Sequence, residues 1–189
     1  MALLNPSSTH ALPLWRGVAV TLCGAALITI GAKVQIPFWP VPMTLHTLAV
    51  FFLAAVLGPR LGFAAMAAYL SAGAMGLPVF SGSPERGIGL AYMAGPTGGY
   101  LLGYLLATYA IGRLAAGRSM TGQALAMLAS LAVVYAFGLM WLALFVPASG
   151  LISAGFAPFI LGDLVKIALA AALATALATG LGRLKGRVE

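Results

Sequence analysis

The chain has 189 residues, of which 62% are hydrophobic and 7% charged, with ten Lys or Arg against three Asp or Glu and a formal net charge of +7. Soluble domains run at about 45–50% apolar and about 25% charged, so the composition excludes an ordinary soluble domain and defines an integral membrane protein. The positive balance does not mark a nucleic-acid binder, because the basic residues are spread between apolar segments, where they set orientation and face anionic lipid.

Residues 1–13 are polar, contain Pro6 and Pro13, and are expected to form a short flexible tail. Arg16 ahead of an apolar stretch resembles a signal peptide, but no small-residue cleavage site follows and further spans come after it. The first span is expected over about residues 14–34. It holds Cys23, the only cysteine, so no intrachain disulfide exists. Ile36-Pro-Phe-Trp-Pro-Val-Pro42 has three prolines and forbids a regular helix. Thr44 then reads as the N-cap of a short second span over 44–57. Gly58-Pro59-Arg60 ends it, and a third span runs over 61–76.

Residues 77–95 form the longest connection, with Leu77-Pro-Val-Phe80, Ser81-Gly-Ser-Pro-Glu-Arg-Gly87 and Tyr92. A loop of that length is usually functional or disordered. The fourth span begins at Gly95-Pro-Thr-Gly-Gly-Tyr100, with Thr97 as N-cap, and ends near Leu114. A basic turn from Arg113 to Arg118 leads to a fifth span over 121–146. Residues 147–157 make an uncharged Pro/Gly/Ser connection, and the sixth span runs over 158–181. The expected architecture is all-α: one six-helix membrane domain over 14–182, with a basic tail over 183–189. Arg16, Arg60, Arg113, Arg118, Arg183, Lys185 and Arg187 fall on the side of the termini, against Lys33 and Arg86 opposite. The excess of positive charge on cytoplasmic loops therefore puts both termini in the cytoplasm and the long loop outside.

Asp163 and Lys166 stand inside the sixth span, and Asp163 is the only acid in any of the six. A charge at mid-bilayer depth costs roughly 2.5–3.5 kcal/mol on insertion scales, and such residues usually have a partner and a task. Three residues apart on a helix, the two share a face, about 7–8 Å below its outer end. One donor beside one acceptor can hold a cyclic urea or an amide; a structural salt bridge is the other reading. Around the pair, Phe38, Trp39, Phe80, Tyr92 and Tyr100 can pack on an apolar ligand, or serve as interfacial and core aromatics. Arg86 can meet a carboxylate, and Ser81 and Thr44 add polar groups. His46 is read as a packing residue at a helix start, and Tyr100, Tyr104 and Thr108 share one face of the fourth helix.

Catalytic signatures are missing from the sequence. It has no phosphate-binding G-x-x-x-x-G-K-[ST] loop, no H-E-x-x-H, and only His10 and His46 as histidines, too few for a metal site. No enzyme, metal or cofactor is expected. Ala168, Ala172, Ala176 and Gly180 recur every four residues in the last span, as do Thr21, Ala25 and Thr29 in the first. Such stripes allow close helix contact, within the chain or with another membrane protein.

Ile36-Pro-Phe-Trp-Pro-Val-Pro-Met-Thr44, Gly58-Pro-Arg-Leu-Gly62, Gly76-Leu-Pro-Val-Phe80, Gly95-Pro-Thr-Gly-Gly-Tyr100 and Gly162-Asp-Leu-Val-Lys166 together resemble the BioY family, the substrate-binding S components of energy-coupling-factor biotin transporters. The proline-rich segment and the Gly-Pro-Thr-Gly-Gly-Tyr run are the specific ones. The resemblance implies a six-helix fold with an outward-facing biotin pocket, contacted by Asp163 and Lys166 and covered by Phe38 to Thr44 and Phe80 to Tyr100. It also implies a transmembrane coupling protein and two ATP-binding cassette ATPases as partners, in a bacterial cytoplasmic membrane. Two other readings stand beside it: a standalone or ion-coupled carrier of the same vitamin, and a structural membrane subunit without a ligand. The first helix offers Thr21-x-x-x-Ala25 where the family has a pair of alanines, and His46 stands where many members have Gln.

Overall fold

The structure, a computed structural model, describes residues 13–37 and 43–185, with side chains up to residue 181. Phe38, Trp39 and most of both tails lie outside the described residues. The described chain is almost entirely helical: α1 (Leu14–Lys33), α2 (His46–Ala74), α3 (Gly89–Ala94), α4 (Gly98–Leu114), α5 (Met120–Leu142), α6 (Ala148–Gly155) and α7 (Ala157–Lys185). Among the described residues, four stretches have the length and hydropathy to cross a membrane: Leu14–Lys33, His46–Ala74, Met120–Leu142 and Ala148–Leu181.

α2 is two helical limbs, 46–57 and 59–74, joined at Gly58, whose φ of 78° and ψ of −179° are not helical. Glycine tolerates that conformation without a Cβ clash. Pro59 follows as the first residue of the second limb, where its missing N–H goes unneeded. The limbs fold back on each other. Gly62 lies against the Ala54 backbone, and the His46 and Tyr69 rings, at the far ends of the two limbs, are 5.5 Å apart. α2 is therefore a hairpin, and it packs on α1, α4 and α7.

Small residues set the helix spacing. A Cβ on Gly112 of α4 would overlap the backbone at Gly58 and Pro59, and one on Gly103 would press on Val134 of α5. Without water to drive helices together, such close approaches supply the van der Waals contact that holds them. Phe51, Ala54, Met66, Ala107, Ile111, Met127, Val134, Ala170 and Ala171 form the centre of the core.

Several expectations are corrected. The first is Thr44, which does not cap a helix. It pairs with Gln35 in an antiparallel ribbon of β1 (Gln35–Ile36) and β2 (Met43–Thr44), and α2 begins two residues later. The two strands that flank the proline-rich run therefore pair with each other, and β2 lies beside α1. Thr97 occupies the N-cap position of α4, but its side chain makes no capping hydrogen bond. The long connection contains α3, and the 147–157 connection contains α6, a helix its Pro/Gly/Ser composition did not suggest. On α7, Ala168, Ala176 and Gly180 face away from the bundle, while Ala170, Ala171 and Ala174 are buried. The four-residue stripe is not the surface used for packing within the chain.

Gly112→Ala should lower stability by about 1–3 kcal/mol through overpacking against Pro59, visible as a reduced thermal unfolding temperature in detergent. An unchanged temperature would show that the close contact of α4 with the α2 bend carries no load.

Candidate functional site

On α7 the buried positions recur at three- and four-residue spacing: Gly162, Asp163, Lys166, Ile167, Ala170, Ala171 and Ala174. The same periodicity that turns Ile167 and the alanines toward α2 and α5 turns the charged pair inward. Asp163 and Lys166 are only 5% and 6% exposed, and Lys166 Nζ donates to Asp163 Oδ1 at 2.9 Å.

Asp163 has two further donors. Thr47 of α2 donates to Oδ1 at 3.0 Å, and the Tyr135 hydroxyl of α5 donates to Oδ2 at 2.7 Å. The Thr47 and Tyr104 hydroxyl oxygens are 2.6 Å apart. Because Thr47 commits its one proton to Asp163, Tyr104 must be the donor between them. A relay therefore runs from α4 through α2 to α7. Hydrogen bonds to a carboxylate are stronger than neutral ones, and three of them offset the cost of burying this side chain. Lys166 uses one of its three N–H groups on Asp163.

The long loop is anchored beside this cluster. Phe80 is fully buried and sits over Gly73, where any side chain would collide with its ring. Tyr92 stacks on its face at 4.6 Å, and Tyr69 meets it edge-on at 5.5 Å. The Tyr92 hydroxyl donates to Ser81 O at 2.8 Å, and Lys33 donates to Ser83 O and Oγ. Burial pushes the Tyr92 phenol above its ordinary value.

Tyr69 then touches His46, which in turn meets Tyr104 at 4.8 Å. An unbroken run of rings thus leads from the loop to the charged pair: Tyr92, Phe80, Tyr69, His46, Tyr104. On the other side Tyr135 packs on Phe156 at 4.8 Å and Tyr100 at 6.4 Å, and the Tyr100 hydroxyl donates to Gly155 O. Tyr135 and Phe156 also line an apolar cavity of about 490 Å³ between α5, α6 and α7, with Leu131, Leu139, Ile152 and Ile160.

The structure therefore brings Asp163 and Lys166 together and links them through rings to Phe80 and Tyr92, with Tyr100 beside Tyr135. Ser81 contributes its carbonyl to the loop anchor. Arg86 is exposed, its side chain against Gly82, and is not among the partners of the pair. Thr44 lies in the ribbon, whose Met43 side chain sits against Gly162, one residue before Asp163. Trp39 lies outside the described residues. Thr47, Tyr69, Tyr135 and Phe156 were not singled out from sequence. Thr47 had one available signal, a hydroxyl on the first turn of an apolar helix, while Tyr69 and Tyr135 look like ordinary core aromatics.

This helical bundle, with a buried acid–base pair below a ring-lined loop, has the form of a solute-binding membrane subunit. Residues 5–183 match the BioY family, and the chain belongs to that family. It is 44% identical over 148 residues to the biotin transporter BioY of Thermotoga maritima, covering 77% of this chain and 86% of that protein. It is 39% identical over 153 residues to a probable biotin transporter BioY of Pyrococcus horikoshii, covering 81% and 90%. Among solved structures it resembles the S-component for biotin from an ECF-type ABC transporter, with a TM-score of 0.74 and 26% identity over 89% of this chain and 95% of that one.

Phe80→Ala should cost about 3–5 kcal/mol of stability and open the loop over residues 77–95 to protease. Protection equal to the parent protein would show that the loop is held elsewhere.

Proposed function

We propose that the chain binds biotin at the Asp163–Lys166 pair and carries it inward as the S component of an energy-coupling-factor transporter. The observation that carries this reading is the buried pair itself, in a family whose relatives are named biotin transporters. The relay leaves Asp163 oriented and Lys166 with N–H groups to offer. A cyclic urea, which both donates and accepts, suits that combination. The flanking rings suit the apolar body of the ligand.

The chain crosses the bacterial cytoplasmic membrane six times as one domain over 14–182 between two short tails, with both termini inside. The limbs of α2 count as two crossings, each short enough to need bilayer thinning or cover from neighbouring helices. The distribution of basic residues supports this orientation. The loop anchored by Phe80 faces outward with Tyr92, Ser81 and Arg86, and Thr44 and Tyr100 lie on the same approach; Trp39, outside the described residues, is kept as a biotin contact on the strength of the sequence resemblance alone. The chain performs no catalysis; energy comes from a coupling protein and two ATPases, in keeping with the missing phosphate loop in its sequence.

A second reading has one observation in its favour: Asp163 already accepts from three protein donors without any ligand. In that reading the pair only locks α7 to α2 and α5. Titration separates the two. Asp163→Asn and Lys166→Ala should each weaken biotin binding by about tenfold or more, roughly 1.4 kcal/mol or more, in protein that remains folded. Full affinity in a folded variant would rule out the site assignment.

A further inference from the structure

The apolar cavity of about 490 Å³ lies between α5, α6 and α7, behind the charged pair. Leu131 and Tyr135 of α5 form its floor and are 3% and 7% exposed. Ala132 and Ala136, one helical turn apart, stand exposed beside them. With only a methyl group at both positions, no side chain there reaches across to Ile160 of α7. Gly155 seats the end of α6 against Leu139 and Leu142 of α5. α6 therefore closes one end of the cavity and leaves its side open.

The open side is continuous with the surface that meets the bilayer. Leu128 and Ile152 line the mouth and are exposed, and Leu161 and Leu164 carry the exposed apolar surface on along α7. The mouth of a cavity so placed in a membrane protein faces hydrocarbon. Tyr135 supplies the one polar side-chain atom of the lining, and its hydroxyl is committed to Asp163 at 2.7 Å. A trapped water needs about 2–4 polar partners, so water does not suit the space. An empty space would forfeit the dispersion contacts of its walls.

Size decides between the apolar occupants. A helix with its side chains is about 10–12 Å across and rises about 5.4 Å per turn, so each turn fills roughly 400–600 Å³. The cavity would seat about one turn, too little for a transmembrane helix of a partner or of a second copy. A hydrocarbon chain is thin, flexible and without polar groups, and it arrives from the bilayer that the mouth already faces.

We propose that the groove between α5, α6 and α7 is a lipid site, which takes one acyl chain of a bilayer phospholipid as the outer wall behind Tyr135. The chain packs against the ring whose hydroxyl holds Asp163, and so supports the relay from outside the bundle. This site does not depend on which solute the pair holds.

The test uses the full chain in vesicles of phosphatidylethanolamine and phosphatidylglycerol, with a trace of phosphatidylethanolamine carrying a photoactivatable group at the end of one acyl chain. Labelled positions are mapped by mass spectrometry after illumination. In the wild type, label should reach Leu131 or Tyr135, which lipid coating only the surface does not touch. Ala136→Phe fills the groove, and labelling of those two residues should fall about tenfold or more, the worth of about two buried methylene groups. Labelling elsewhere should be unchanged, and Ala26→Phe, on the exposed face of α1, should label as the wild type does. Saturating biotin should leave the groove label in place. Label confined to exposed residues in the wild type, as a second copy packed over the groove would give, overturns the proposal. So does undiminished labelling of Leu131 and Tyr135 in folded Ala136→Phe. Loss of the groove label on adding biotin gives the cavity to the solute and overturns the lipid assignment. Should Ala136→Phe not fold, Ala132→Met is read by the same criteria.

Discussion

One buried carboxylate organises the centre of this molecule. Asp163 accepts from Lys166 on its own helix, from Thr47 on α2 and from Tyr135 on α5, and Tyr104 of α4 enters through Thr47. Three helices therefore meet at two oxygen atoms, and a fourth, α4, joins them through Thr47. In an apolar surrounding an unpaired carboxylate is far costlier than in water, so those donors are obligatory as long as the acid is ionised. That requirement fixes the rotation of α7 and the position of the first limb of α2. A ligand competing for these groups acts on all four helices at once.

The remaining architecture allows this convergence. The bend at Gly58 returns α2 on itself, bringing Tyr69 back to His46. Gly112 lets α4 lie against that bend, and Gly73 leaves room for the Phe80 ring. The ring of Phe80 fixes the long loop over Tyr69, so the outer loop and the charged pair belong to one packed unit. Interiors this dense respond to change by repacking between discrete arrangements and not by small continuous deformation. A ligand held between rings and pair has a direct route to the loop.

What sequence conveyed and what it withheld divide along the distance between interacting residues. The apolar stretches, the break at Gly58-Pro59 and the pairing of Asp163 with Lys166 depend on neighbours within a few positions, and all were legible. The other partners of Asp163 are 116 and 28 residues away. Nothing local distinguishes Thr47 from other hydroxyls in membrane helices, or Tyr135 from core aromatics. The reversal at Gly58 was evident, but the meeting of His46 with Tyr69 also depends on how each limb is rotated about its axis, which no local signal fixes. α6 was missed because its Pro/Gly/Ser-rich surroundings suggested a loop, and Thr44 was misplaced because a two-residue ribbon carries almost no periodic signal. The family itself was recognisable from short motifs, and it supplied the ligand that physical reading of the pair left open.

The central claim is that biotin is held at the Asp163–Lys166 pair, within a preorganised relay. An experimental structure of the chain with biotin bound tests it most directly. The account predicts a polar atom of the ligand within about 3 Å of Asp163 or Lys166, with the Thr47 and Tyr135 bonds to Asp163 still in place. Biotin seated in the apolar cavity between α5, α6 and α7, with the pair bonded only to protein, would contradict it.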